Sequence, residues 1–157
     1  MSNRFQVTIR KATEEDIPFV YELVRELAIY EKAENEFICP IEEYYQCFEN
    51  GLIDCIVAVY DEEIVGMVLY YMNFSTWKGK MMYLEDFIVQ DPFRGKGIGQ
   101  MLFEAFLDES KRRDCKLVKW QVLDWNTPAI KFYEKNKAVI EREWWNGKIF
   151  LNPNKLK

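Results

Sequence analysis

The sequence predicts a mixed α/β (α+β) fold, one sheet with helices on both faces and a parallel, ligand-binding strand pair at its centre. Three observations predict it. Segments of period two and period 3.6 follow one another as β-α-α-β-β-β-α-β-α-β-β, and a single helix-covered mixed sheet is the natural packing of that order. Residues 81–135 run strand–loop–helix twice, the pattern that makes parallel neighbours. Between the first strand and helix of that repeat, Gly95, Gly97 and Gly99 alternate with Lys96 and Ile98 directly after Arg94. At 157 residues the chain is long enough for a real core and is expected to be a single domain, 1–157.

Residues 5–10 alternate with period two and begin the sheet. Thr13 to Asp16 carries helix N-terminal chemistry, and Pro18 fits only a first helical turn. Ile17, Val20, Tyr21, Val24, Leu27 and Ala28 then form an amphipathic stripe to about Tyr30. A charged connection, residues 31–36, leads to a short helix opened by Pro40 and ending near Gly51. Residues 54–60 and 64–72 read as a hairpin around Asp61, Glu62 and Glu63, followed by a loop, 73–79, that carries Trp77. The near-continuous apolar run 81–89 is expected to be central and covered on both faces, although Glu85 and Asp86 interrupt it. In a regular strand these two acids point to opposite faces, and a bulge would change that. A helix follows the glycines and ends near Asp114, and 117–123 is another strand. Asn126 or Thr127 caps a short helix with Pro128 at its first position. Residues 138–151 read as a terminal hairpin turning at Asn146-Gly147.

Composition narrows the function. A net charge of −5 argues against non-specific nucleic-acid binding, and it suits either a cationic substrate or simple solubility. Cys39, Cys47, Cys55 and Cys115 form no C-x-x-C pair, and the N-terminus has no signal-peptide apolar run, so reduced thiols in a cytoplasmic protein are expected. No apolar segment is long enough to span a bilayer, so no membrane partner is expected. The chain has no histidine, which removes Ser–His–Asp and Cys–His catalysis and H-E-x-x-H zinc sites; no metal is expected. Proton transfer falls to Glu, Asp, Tyr, Lys, Cys or water.

A glycine-rich loop opening a helix is an anion site, most naturally for phosphate, because close backbone approach and unpaired helix N–H groups combine there. This loop lacks the G-x-x-x-x-G-K-[ST] of a P-loop, and its G-x-G-x-G spacing is not that of a dinucleotide fold. It does match R-x-x-G-x-G, from Arg94 to Gly99. In that it resembles the coenzyme A pyrophosphate loop of the GNAT superfamily of N-acetyltransferases. Asn126 to Tyr133 is similar to a second signature of that superfamily, N-x-x-A-x-x-F-Y. Glu26-Leu27-Ala28-x-Tyr30-Glu31, Tyr70-Tyr71 before Trp77 and Gly79, Tyr83-Leu84-Glu85-Asp86-Phe87, and Trp125-Asn126 resemble the spermidine/spermine (diamine) and thialysine branch.

The resemblance implies a GNAT-type, mostly antiparallel sheet and an acetyl-CoA-dependent transfer to a small primary amine. It implies Glu85 as the base, directly or through water, and Tyr133 as the general acid at the departing sulfur. The main chain of Phe87, Ile88 and Val89 would meet the acetyl and pantetheine parts. Arg94, Gly95, Lys96, Gly97, Ile98, Gly99 and Gln100 would hold the pyrophosphate, with Asn126, Ala129 and Tyr133 also on the cofactor. Tyr30, Glu31, Trp77, Glu85, Trp120 and Gln121 would line the acceptor side. A homodimer is implied as well.

Departures from the branch bear on the substrate. Lys137 stands where the polyamine enzymes carry glycine, a position that calls for φ > 0. The loop Phe74-Ser75-Thr76 before Trp77 lacks their acidic residue, and Trp144-Trp145 fall where they carry acids. These differences suit a smaller or less charged amine, or a dimer contact at the tryptophan pair. Acetylation of another amine (thialysine, an amino acid, an aminoglycoside, a peptide terminus) and a non-catalytic acyl-CoA-binding module are the rival readings.

Overall fold

The computed structural model describes residues 6–151, which fall into two compact units divided after Trp120. The first unit is a five-stranded sheet in sequence order: β1 (Thr8–Lys11), β2 (Asp54–Tyr60), β3 (Glu63–Ser75), β4 (Gly79–Val89) and β5 (Leu117–Lys119). All neighbours are antiparallel except β4 and β5, which run parallel. Phe5, expected to open β1, lies outside the described residues. Helices α1 (Ile17–Tyr30) and α2 (Ile41–Glu49) precede β2, and α3 (Ile98–Arg112) links β4 to β5.

The alternation of the central strands divides the core. Cys55, Val57, Met67, Leu69 and Ile88 pack with Val20, Leu23 and Val24 of α1, and Tyr44 and Phe48 of α2 close the edge of that cluster. On the other face Tyr70 meets Phe106 of α3, and Phe87 meets Phe103, with ring centroids 5.4 and 6.1 Å apart. Gly66 lets α3 sit close to the sheet, because a Cβ there would lie 3.1 Å from Leu102 Cδ1 and 3.0 Å from the Ile88 carbonyl oxygen. Burial on both faces explains the unbroken apolar character of these strands.

Several strand boundaries differ from the sequence expectation, most of all around β3, β4 and β5. The β3–β4 hairpin is longer: Asn73, Phe74 and Ser75 pair with Met81, Lys80 and Gly79, so only residues 76–78 turn. Ladder hydrogen bonds outweigh the polar, aromatic composition that suggested a loop. Conversely, β5 stops at Lys119, and 120–123 carry no strand. Its partner on β4 is Tyr83, two residues before a register shift, and a bulged strand bends out of the ladder there.

The second unit holds α4 (Thr127–Lys135), capped by Asn126 as one of the two expected caps, with Pro128 in its first turn. The expected terminal hairpin is absent: residues 138–151 carry no strand. Trp145 and Leu151 are 94% and 96% exposed, so extended pairing there would bury no apolar face.

All four helices of the described residues end alike. Lys32, Gly51, Asp114 and Lys137 adopt φ of 61°, 80°, 60° and 66°, and in each case the next residue's N–H reaches back to a carbonyl of the last turn, as Ala138 N–H does to Tyr133 O at 3.0 Å. Lys137 thus has the left-handed backbone its sequence position calls for.

Candidate active site

The register of β3 on β4 locates the site. Leu69 pairs with Asp86 but Tyr70 pairs with Leu84, so Glu85 is the extra residue of a β-bulge. The bulge resets the alternation. Leu84 lies opposite Tyr70 on the α3 face, whereas Asp86 lies opposite Leu69 on the α1–α2 face. Glu85 joins Asp86 there: its Oε2 accepts a hydrogen bond from the Tyr71 hydroxyl at 3.3 Å, and Tyr71 shares the face of Leu69. The regular-strand expectation, with the two acids on opposite faces, is therefore replaced by two adjacent carboxylates on one face.

The aromatic and acidic surroundings are specific. Tyr71 and Tyr83 stack at 5.2 Å. Tyr44 of α2 stands in the core edge within the field of both Asp86 and Glu85, and burial and these charges push its phenol pKa up. Glu31, just beyond α1, also acts on Asp86. Burial, then Glu85, then Glu31 raise the Asp86 carboxyl to about 7 from an ordinary 3.8. Burial also raises Glu31. Two carboxyls whose burial opposes their ionisation, grouped with Glu85, form a place where a cation is stabilised.

Along β4 from the bulge, Phe87, Ile88 and Val89 pair with Val68, Met67 and Gly66 on one edge. On the other edge β5 pairs only with Met81, Met82 and Tyr83. A short 3-10 turn (Asp91–Phe93) then leads to the glycine loop. Gly95 and Gly97 have φ of 74° and 83°, and a Cβ built on either would meet nothing within 4 Å. Gly97 caps α3 with no side-chain hydrogen bond, so the first-turn N–H groups of a fifteen-residue helix face this loop without a side-chain acceptor from the cap. Ile98 is buried and anchors the turn, and Gln100 donates to Glu104 Oε1 at 3.1 Å. A diphosphate fits a loop built this way. Lys96 is exposed beside it. Arg94 turns instead toward α1: Nε donates to the Val89 carbonyl at 2.8 Å, and the guanidinium carbon lies 5.2 Å from the Tyr30 ring centroid.

The remaining expected residues are dispersed. Trp77, 84% exposed, is on the hairpin turn, eight residues before Glu85, and the strand from Gly79 to Glu85 alone spans about 20 Å. Trp120 meets Phe103 edge-on at 5.8 Å on the α3 face, not among the acids. In the second unit Gln121 donates to Asn146 Oδ1, and Asn126 Oδ1 accepts from the Ala129 N–H at 3.4 Å. Tyr133 is buried and packs edge-on against Phe132. Asp86, Tyr44 and Tyr71 are the site residues that sequence reasoning missed. The signal for Asp86 was available: two consecutive acids in an apolar strand are accommodated most simply by a bulge.

Comparison with known proteins shows the family. The acetyltransferase (GNAT) family model matches residues 17–137, crossing both compact units. The thialysine N-epsilon-acetyltransferase of Bos taurus is 32% identical over 152 residues, covering 89% of this chain and 89% of that protein. Spermidine/spermine N(1)-acetyltransferase-like protein 1 of Homo sapiens is 27% identical over 149 residues, covering 88% of this chain and 21% of that protein. An aminoglycoside acetyltransferase from an uncultured soil metagenomic sample shares the fold, with a TM-score of 0.79 at 21% identity over 95% of this chain and 98% of that one. No helix of the described residues is long and apolar enough to cross a membrane. A mixed sheet with a parallel β4–β5 pair, a bulged acidic strand, a glycine loop opening α3, and matches over most of the chain lead to one conclusion: this chain belongs to the acetyltransferase (GNAT) family and is an amine N-acetyltransferase.

Proposed function

We propose that the whole chain, 1–157, acts as one N-acetyltransferase domain that moves the acetyl group of acetyl-CoA directly to a primary amine of a small diamine- or polyamine-like acceptor. The observation that carries this reading is the grouping of Glu85, Asp86 and Glu31 at the β4 bulge, one strand segment ahead of the glycine loop. When bound, acetyl-CoA supplies the activated acetyl group. The 95–99 loop and the α3 N-terminus hold its diphosphate, with Lys96 beside them, and the main chain of Phe87, Ile88 and Val89 orients the acyl arm. Asn126 and Ala129 add contacts from α4.

Free alkyl amines have pKa values near ~10 and enter as ammonium ions, whereas only the neutral amine is a nucleophile. Glu85 accepts that proton, directly or through water. Asp86 and Glu31 offset the charge of the acceptor, and Tyr30 supplies an aromatic wall beside them. The Tyr133 hydroxyl donates a proton at the departing sulfur. No nucleophilic side chain is needed, which agrees with a chain lacking histidine. Free thiols at Cys39, Cys47, Cys55 and Cys115 are in keeping with a cytoplasmic location. A homodimer with Trp144 and Trp145 at its contact completes the reading, and light scattering that gives a monomer at micromolar concentration would remove it.

The decisive test is a coenzyme A release assay with spermidine, putrescine, thialysine and lysine. Turnover of at least one acceptor with two amino groups is expected. Acetyl-CoA binding without turnover of any amine would leave a non-catalytic acyl-CoA-binding module instead.

A further inference from the structure

Two contacts tie the segment after β4 to one face of α1. Glu26 and Tyr30 lie four residues apart on that helix, and so share a face. Gln90 Nε2 donates to Glu26 Oε1 at 3.1 Å, and the Arg94 guanidinium covers the Tyr30 ring at 5.2 Å. Arg94 is held from its own side too: its Nε–H is committed to the Val89 carbonyl, and Asp91 lies 3.4 Å from Nη1. Arg94 begins the R-x-x-G-x-G loop, whereas Tyr30 is the last residue of α1 and is followed by Glu31, one of the three site carboxyls. One side chain therefore spans the cofactor loop and the acceptor side.

We propose that Arg94 is a positioning residue shared by the two subsites: its stacking on Tyr30 fixes the end of α1, and Glu31 with it, in step with the glycine loop. This rests on the acetyltransferase reading above. A lysine at 94 keeps a charge for a phosphate but has neither the Nε–H for Val89 nor a plane to stack. An aromatic ring at 30 keeps the stacking face, and leucine does not.

The test is a double-mutant cycle of Arg94→Lys and Tyr30→Leu, with Tyr30→Phe as the conservative variant and circular dichroism to verify folding. Acetyl-CoA affinity is measured by calorimetry without acceptor, and acceptor KM by coenzyme A release. Tyr30→Leu should weaken acetyl-CoA binding about 3-fold when Arg94 is present and leave it unchanged with lysine at 94, the range expected of one exposed cation–π contact. Tyr30→Phe should stay near wild type. Acceptor KM should rise in Arg94→Lys by a larger factor than kcat falls. Additive effects, or acetyl-CoA affinity unmoved by Tyr30→Leu, would overturn the proposal. Because the affinity cycle needs no turnover, an inactive protein would refute the function while leaving the coupling measurable.

Discussion

Asp86→Asn tests the acidic cluster through stability alone, with no knowledge of the substrate. The Asp86 carboxyl sits at about 7 because it is half-buried and faces Glu85 and Glu31. For a carboxyl raised in this way, the favourable contribution is complete below the unfolded pKa. As pH rises past that value the unfolded chain ionises first, and stability falls until the native carboxyl has ionised too, above about 7. Three pH units at about 1.4 kcal/mol each set a penalty of about 4 kcal/mol at pH 8, against roughly 2 kcal/mol at pH 5 where only the unfolded chain is ionised. Asparagine has the same shape and does not titrate. The variant should therefore gain about 2–3 kcal/mol more stability at pH 8 than at pH 5, relative to wild type. Urea denaturation of both proteins at the two pH values reads this difference directly. A stability change independent of pH, or one that becomes less favourable as pH rises, would refute the idea that Asp86 is held against its ionisation. Function supplies the reason for retaining such a group, since an ammonium ion bound beside it would recover the lost free energy.

Tyr133→Phe should lower kcat about 100-fold, the range of a lost general acid, with acetyl-CoA affinity within a factor of two by calorimetry; an unaffected rate would remove Tyr133 from that role. Lys137→Gly should raise stability by about 1 kcal/mol, because a side chain at φ 66° is strained where glycine is not; thermal denaturation measures it. Tyr70→Phe should be neutral or stabilising by about 1 kcal/mol, since the fully buried Tyr70 hydroxyl has no hydrogen-bond partner among the described residues; a clear loss of stability would show that the hydroxyl has a partner.

Much of the fold was legible because periodicity reports burial. The β2 bounds, α1 ending at Tyr30, and the glycine loop opening α3 all follow from which residues face the core or carry caps and turns. The glycine signature was equally local: φ > 0 at Gly95 and Gly97 and an uncapped helix start are properties of a few consecutive residues. Where partners decided, sequence misled. Asn73 to Ser75 became strand because β4 lay opposite, and residues 138–151 did not, with Val139, Trp144, Trp145, Ile149 and Leu151 left exposed.

The sequence by itself determined the element order through α4, the glycine loop that opens α3, the absence of histidine chemistry and the presence of two acids in an apolar strand. Only tertiary structure decided how those acids face. Whether Glu85 and Asp86 point apart or together depends on the register of β3 against β4, a pairing of residues more than a dozen positions apart. The bulge in that register puts both on the face where α1 ends at Tyr30 and Glu31, and packing there denies Asp86 the water that would keep its carboxyl at an ordinary pKa.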